Sequence, residues 1–199
     1  YHKGDLIFNY HRAKGEARKE KCVYLVEGAM DVLALEKVDH HNAIAMLGTA
    51  CTKEQLKLLS RLGVDVVVCY DGDQAGRNAT YKFGKLAKGI LSFTIVENKT
   101  ALDPDEIIEA YGRDELKKTL HKTISWIDFL FAYLMHKYDL ENYSQKKEYA
   151  KELAEEIASL KDEFEKKNYY IRLRELTGFD MDVKEAIKKP QANATYQKR

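Results

Sequence analysis

Six acidic residues in three groups carry the chemistry this sequence could perform: Glu27 and Asp31 in VEGAMD, Asp71 and Asp73 in YDGDQAGR, and Asp103 and Asp105 in LDPDE. Each group follows an apolar run, CVYLV, VVVCY and LSFTIV respectively. A buried parallel strand reads as such a run, and open α/β sheets bind ligands beyond the carboxyl ends of their strands. Carboxylates gathered at one sheet edge raise one another's pKa values unless a cation shares the site. Their oxygens suit a hard divalent ion, Mg²⁺ or Mn²⁺. Phosphoryl transfer by two metals about 3.5–4 Å apart needs a spread of acidic ligands of this kind.

Asp71 and Asp73 are two apart, so an extended chain continuing past Tyr70 would point both to one side. Gly72 keeps the turn between them uncrowded. Gly76 and Arg77 fall at the mouth of the next helix, where free N–H groups and a forked cation could hold a phosphate. Each pair taken alone has a plainer reading: a DxD is often a turn or a cap, Glu27 with Asp31 an ordinary capping pair, and Asp103-Pro104-Asp105 a helix start with Asp105 favourable to the dipole. Three such pairs in register with three strand ends favour a site.

The elements that must position these residues alternate. Strand-like CVYLV is followed by a helix over 29–37, strand AIAML, a helix over 53–61, strand DVVVCY, a helix over 75–88, strand LSFTIV and a helix beginning near Pro104. Repeated β/α units of this length give a parallel, doubly wound sheet with right-handed crossovers. Thr52 with Gln55 reads as a capping box, and Pro104 suits a first helical position. Beyond Arg113 the strand signal disappears. Trp126, Leu130, Tyr133 and Leu134 share a helical face, as do Tyr149, Leu153, Ile157, Leu160 and Phe164; a helix over 169–176 stops at Gly178 and a shorter one covers 181–187. The expected organisation is a basic lead-in over 1–21, an α/β domain over 22–112, a small helical subdomain over 113–188 and a tail or linker over 189–199.

With 33 basic and 32 acidic side chains, bulk charge gives no reason to invoke nucleic acid, so any such site must come from local patterning. Three cysteines, Cys22, Cys51 and Cys69, form no CxxC pair and read as core packing. No apolar stretch approaches a membrane span and no signal peptide is visible, which makes the cytoplasm the default location. The start at Tyr1 rather than Met suggests a cut from a longer protein.

LVEGAMDVLAL, AMLGTACT, VVVCYDGDQAGR and DPDE resemble, in order and spacing, the toprim domain of bacterial replicative primases of the DnaG type. The likeness runs from about Lys3 to the helical tail, with Ala29 standing where the family has an aromatic residue. The fold this implies is a toprim α/β domain, Rossmann-like with a mostly parallel sheet flanked by helices, followed by a small all-α subdomain. The activity it implies is synthesis of short RNA primers on a single-stranded DNA template from ribonucleoside triphosphates. By the same resemblance, Glu27 matches the toprim glutamate of acid/base chemistry or metal binding, Asp71 and Asp73 the metal-binding pair, and Asp31, Asp103 and Asp105 the remaining acids around Mg²⁺ or Mn²⁺. Lys3, Asn9 and Lys14 resemble the basic strip that contacts nucleotide or template; Arg77, from its place at the mouth of the helix, is a further candidate for nucleotide binding. The resemblance also places zinc only in an N-terminal domain, and the replicative helicase's binding site only in a C-terminal domain, neither of them expected in this chain.

Two other functions use the same residues. A toprim nuclease or topoisomerase piece would cleave phosphodiesters at the same acidic edge, although no tyrosine here announces itself as a topoisomerase nucleophile; a non-catalytic module would bind a Mg²⁺-nucleotide and never turn it over. The DGDQAGR stretch favours primase. Tyr169 and Tyr170, beside Lys166, Lys167, Arg172 and Arg174, could stack bases, but helix packing is the simpler role.

Overall fold

The computed structural model describes residues 6–47 and 51–180. Lys3, Gly48 to Ala50 of the AMLGTACT motif, the helix expected over 181–187 and the tail lie outside the described residues. The chain divides into two compact units, Tyr1–Phe129 and Leu130–Arg199.

In the first unit, strands β1 (Cys22–Val26), β2 (Ala43–Ala45), β3 (Asp65–Val68), β4 (Phe93–Val96) and β5 (Thr123–Ile124) form one sheet in the order β2-β1-β3-β4-β5. The first four run parallel, and β5 pairs antiparallel with β4. Helices α1 (Tyr10–Glu20), α2 (Ala29–Glu36), α3 (Lys53–Leu62), α4 (Gln74–Ala87), α5 (Pro104–Tyr111) and α6 (Arg113–Leu120) flank it. Side chains alternate along a strand. Tyr24 and Val26 therefore share one face, where they join Val32 and Leu35 of α2, Ile107 of α5 and Leu116 and Leu120 of α6 in a buried core. Each fully buried aliphatic side chain there stabilises the fold by roughly 1.5–3 kcal/mol.

Three features depart from the expectations. Strand pairing continues beyond Arg113, because β5 adds a two-residue antiparallel edge too short to show a period. The basic lead-in is, over its described part, an integral layer of the first unit: Phe8 bridges Ala45, Gln55 Nε2 donates to the Leu6 carbonyl at 2.7 Å, and Ala13 and Ala17 of α1 are fully buried. Trp126 faces Gly84, where a Cβ would fall on the indole ring, and the same ring neighbours Phe93 and Phe129 with centroids 5.9 and 5.7 Å away.

The second unit is helical. It takes in the end of α7 (Trp126–Lys137), with α8 (Tyr143–Ala158) and α9 (Glu163–Thr177). Leu130, Phe131, Leu134, Tyr149, Leu153, Ile157 and Leu173 are the large apolar side chains buried among its described residues. Tyr169 stacks on Phe131 and the Tyr170 hydroxyl donates to the Ala154 carbonyl at 3.3 Å, so both tyrosines serve packing. Phe164 does not continue the face of Tyr149 and Ile157: α8 ends at Ala158, Asp162 caps a new helix through the N–H groups of Phe164 and Glu165, and Phe164 is 83% exposed.

Candidate functional site

Parallel pairing in register sets the site. Leu25 of β1 stands opposite Val68 of β3, and the Cys69 N–H donates to the Leu25 carbonyl, so the chain leaves both strands side by side. Glu27 follows one exit and Asp71 the other. The Asp71 N–H donates to Glu27 Oε1 at 3.3 Å, joining the two loops.

Extended structure ends at Val68, so Asp71 and Asp73 do not act as an alternating strand pair. Asp71 is half-buried, and its Oδ1 is buried with no hydrogen-bond partner among the described residues. Asp73 is exposed and caps α4, its Oδ1 accepting from Gly76 N–H at 2.7 Å. That bond occupies a donor the sequence left open for phosphate. Glycine is required at both neighbouring positions: a Cβ on Gly72 would collide with the Thr100 carbonyl, and one on Gly76 with the backbone of Asp71. The loop that Gly72 meets is held by Asn98, whose Oδ1 accepts from the backbone and hydroxyl of Thr100 and whose Nδ2 donates to the Leu102 carbonyl.

The capping readings hold for three of the acids, and capping orients them. Asp31 Oδ2 accepts from Gly28 N–H at 2.8 Å at the start of α2, and Asp103 Oδ1 accepts from Glu106 N–H at 2.8 Å at the start of α5. With Asp73 on α4, three helix N-termini each fix one carboxylate through one oxygen, leaving the second without a hydrogen bond among the described residues. Cap bonds of this kind also help anchor the helices, at roughly 0.5–2 kcal/mol each.

Electrostatically the group behaves as one cluster. Burial first, then Glu27, Asp31, Asp103 and Asp73, push Asp71 up to about 7. Burial likewise lifts Asp31 to about 6, with Asp103, Glu27 and Asp105 adding to it against the Gly28 hydrogen bond. Glu27 is raised by burial too, opposed by the Asp71 N–H and assisted by Asp73 and Asp103. Asp105 differs: its Oδ1 pairs with Lys37 Nζ at 2.7 Å. Sequence reasoning missed Lys37, 68 positions away. Among the described residues no three His, Cys, Asp or Glu side chains stand together in ligating geometry. The structure thus gathers Glu27, Asp31, Asp71, Asp73 and Asp103 by charge, and holds Asp105 beside a cation.

The expected nucleotide-binding residues are dispersed. Asn9 starts α1 in a left-handed conformation with φ of 61° and donates its Nδ2 to the Ala43 carbonyl at 3.0 Å, a structural use. Lys14 is half-buried on α1, and Arg77 lies in the first turn of α4 with its N–H on the Asp73 carbonyl.

An acidic edge on a mostly parallel sheet defines a toprim-like domain, and the family model described as Toprim-like matches residues 24–108. A second, described as DnaB-helicase binding domain of primase, matches 127–182, so a region of that description falls inside the chain where the expectation placed it outside. A DNA primase of Listeria innocua is 33% identical over 176 residues, covering 87% of this chain and 28% of the relative. A DNA primase domain from Pseudomonas aeruginosa superposes with a TM-score of 0.72 at 27% identity over 94% of this chain and 59% of that one. A DnaG primase catalytic domain bound to ssDNA gives 0.71 at 26% over 93% of this chain and 59% of that one. The chain belongs to the bacterial DnaG-type primase family, and spans just over a quarter of the length of the curated relatives it matches.

Proposed function

We propose that this chain carries the catalytic acidic edge of a DNA-templated RNA polymerase that makes short RNA primers on single-stranded DNA. The observation that supports this most is the buried Oδ1 of Asp71 beside Glu27, without a hydrogen-bond partner among the described residues and inside a cluster of carboxylates with raised pKa values. An orphaned buried oxygen costs free energy unless something satisfies it, and a cation does so while relieving the repulsion. The family uses divalent metal. Here the ion is Mg²⁺ or Mn²⁺, and Glu27, Asp71 and Asp73 would hold it, with Asp31 and Asp103 nearby and Asp105 contributing less because Lys37 already neutralises it.

A bound divalent ion supplies charge neutralisation at the reacting phosphate and lowers the pKa of an attacking 3′-hydroxyl. The chain's own residues do the positioning. The N–H of Asp71 orients Glu27, the caps at Asp31, Asp73 and Asp103 fix three carboxylates on helix ends, and Gly72 and Gly76 let the loops close on one another. The substrates proposed are ribonucleoside triphosphates and single-stranded DNA, supported by the match to a relative bound to ssDNA. The replicative helicase is the proposed protein partner, through the region that matches the helicase-binding description. The place of action is the bacterial replisome in the cytoplasm; among the described residues no helix is long and apolar enough to cross a membrane.

Incubating the enzyme with single-stranded DNA, labelled ribonucleoside triphosphates and Mg²⁺ or Mn²⁺ tests this. Short labelled RNA is expected, and Asp71→Asn should abolish it. Shortened DNA without new RNA would move the reading to phosphodiester cleavage.

A further inference from the structure

An apolar groove of about 430 Å³ runs between α3 and the carboxyl end of α4, lined by Lys53, Leu56, Lys57, Ser60, Arg61, Leu86 and Ile90. None of the six acids of the proposed catalytic edge lines it. Leu86 and Ile90 are 41% and 55% exposed, although each would gain from leaving water. The backbone that carries Ile90 is fixed by the turn that ends α4, with the Ile90 N–H donating to the Ala87 carbonyl at 2.9 Å and Gly89 at a φ of 77°. Among the described residues the rim carries three cations and no anion, in a chain whose formal net charge is only +1. Lys53, Lys57 and Arg61 have no ion pair among the described residues, so their charge is free to act outward.

We infer that this groove docks an acidic segment of a partner protein that presents aliphatic side chains. The floor is aliphatic where a surface for single-stranded nucleic acid would offer aromatic rings for stacking. The volume is that of a small-ligand pocket, enough room for a few aliphatic side chains. The cationic rim selects a carboxylate-rich partner and speeds its approach. The site is independent of the metal chemistry proposed above.

The test is fluorescence anisotropy of the full 199-residue chain with a fluorescein-labelled synthetic peptide of glutamates interspersed with leucines. Saturable binding is expected, weakened about tenfold or more by lysines in place of the glutamates, by Lys57→Glu combined with Arg61→Glu, and by raised salt. Serines in place of the leucines, or Ile90→Asp, should weaken it as much. All three substituted residues are exposed, and unchanged thermal midpoints will show that the variants fold. Equal affinity in the variants, or equal binding of the serine peptide, would overturn the inference. So would displacement of the peptide by oligothymidylate whose own binding ignores Ile90→Asp, since that would make the face a nucleic-acid surface.

Discussion

The backbone N–H of Asp71 donates to Glu27 Oε1 at 3.3 Å, while Asp71's own Oδ1 is buried without a partner among the described residues. One bond thus ties the exits of β1 and β3 and orients one carboxylate, and the neighbouring oxygen is left without a hydrogen bond among the described residues. Residues 44 positions apart in the chain meet because Leu25 and Val68 stand in register on adjacent strands.

Proton linkage gives the first prediction. Burial and the neighbouring acids raise Asp71 to about 7 in the folded chain, against an ordinary value near 3.8. Between those values the folded state binds the proton more tightly than the unfolded one, so this carboxylate favours folding most below its ordinary value and opposes it as pH rises to the folded value. In metal-free buffer Asp71→Asn should therefore be the more stable protein above about pH 7, by roughly 1 kcal/mol after allowing for solvent screening of a half-exposed group. The advantage should shrink as pH falls from about 7 toward 4. Thermal unfolding across that range checks it; an Asn variant less stable at every pH would contradict it.

Two glycines should respond oppositely to alanine. A Cβ on Gly76 would meet the Asp71 backbone, which has no flexible end to yield, so Gly76→Ala should destabilise by about 1–3 kcal/mol. Gly15 lies within α1 with open space around it, and Gly15→Ala should stabilise by roughly 0.5–1 kcal/mol. Urea unfolding of both variants measures the contrast.

Lys37 tests whether Asp105 is held back from the cluster by its ion pair. The pair joins a 43% exposed lysine to a 20% exposed aspartate, so Lys37→Ala should change stability by less than about 1 kcal/mol. It should also raise affinity for a divalent ion, since a cation beside the acidic edge is removed. Calorimetric titration with Mg²⁺ reads this, and unchanged affinity would show that Asp105 lies outside the site's field.

Much of this arrangement was legible in the sequence because local rules agree with the fold. The apolar runs before each acidic group are strands, the Thr52–Gln55 capping box is formed, and Pro104 opens α5. The failures have physical causes. Helical periodicity was carried across the break at Asp162, a residue whose capping role locally outweighs the spacing of Phe164. β5 is two residues long, so although Thr123 and Ile124 are β-branched it is too short to show a period and forms only by pairing with β4. Asn9 reads as a polar contact residue, yet its left-handed backbone and bond to Ala43 make it a joint between α1 and the sheet. Lys37 could not be assigned to Asp105 because only the packing of α2 near α5 brings them together.

Binding of Mn²⁺, followed by electron paramagnetic resonance with Mg²⁺ as competitor, tests the acidic edge most directly. The unmodified chain should bind Mn²⁺ in a manner that Mg²⁺ displaces. Asp71→Asn should lose at least about tenfold in affinity, the range reached when a carboxylate ligand or its support is removed from a metal site. Asp105→Asn, already neutralised by Lys37, should lose much less. Equal Mn²⁺ affinity in the unmodified chain and Asp71→Asn would contradict the assignment of this edge as the metal centre of primer synthesis.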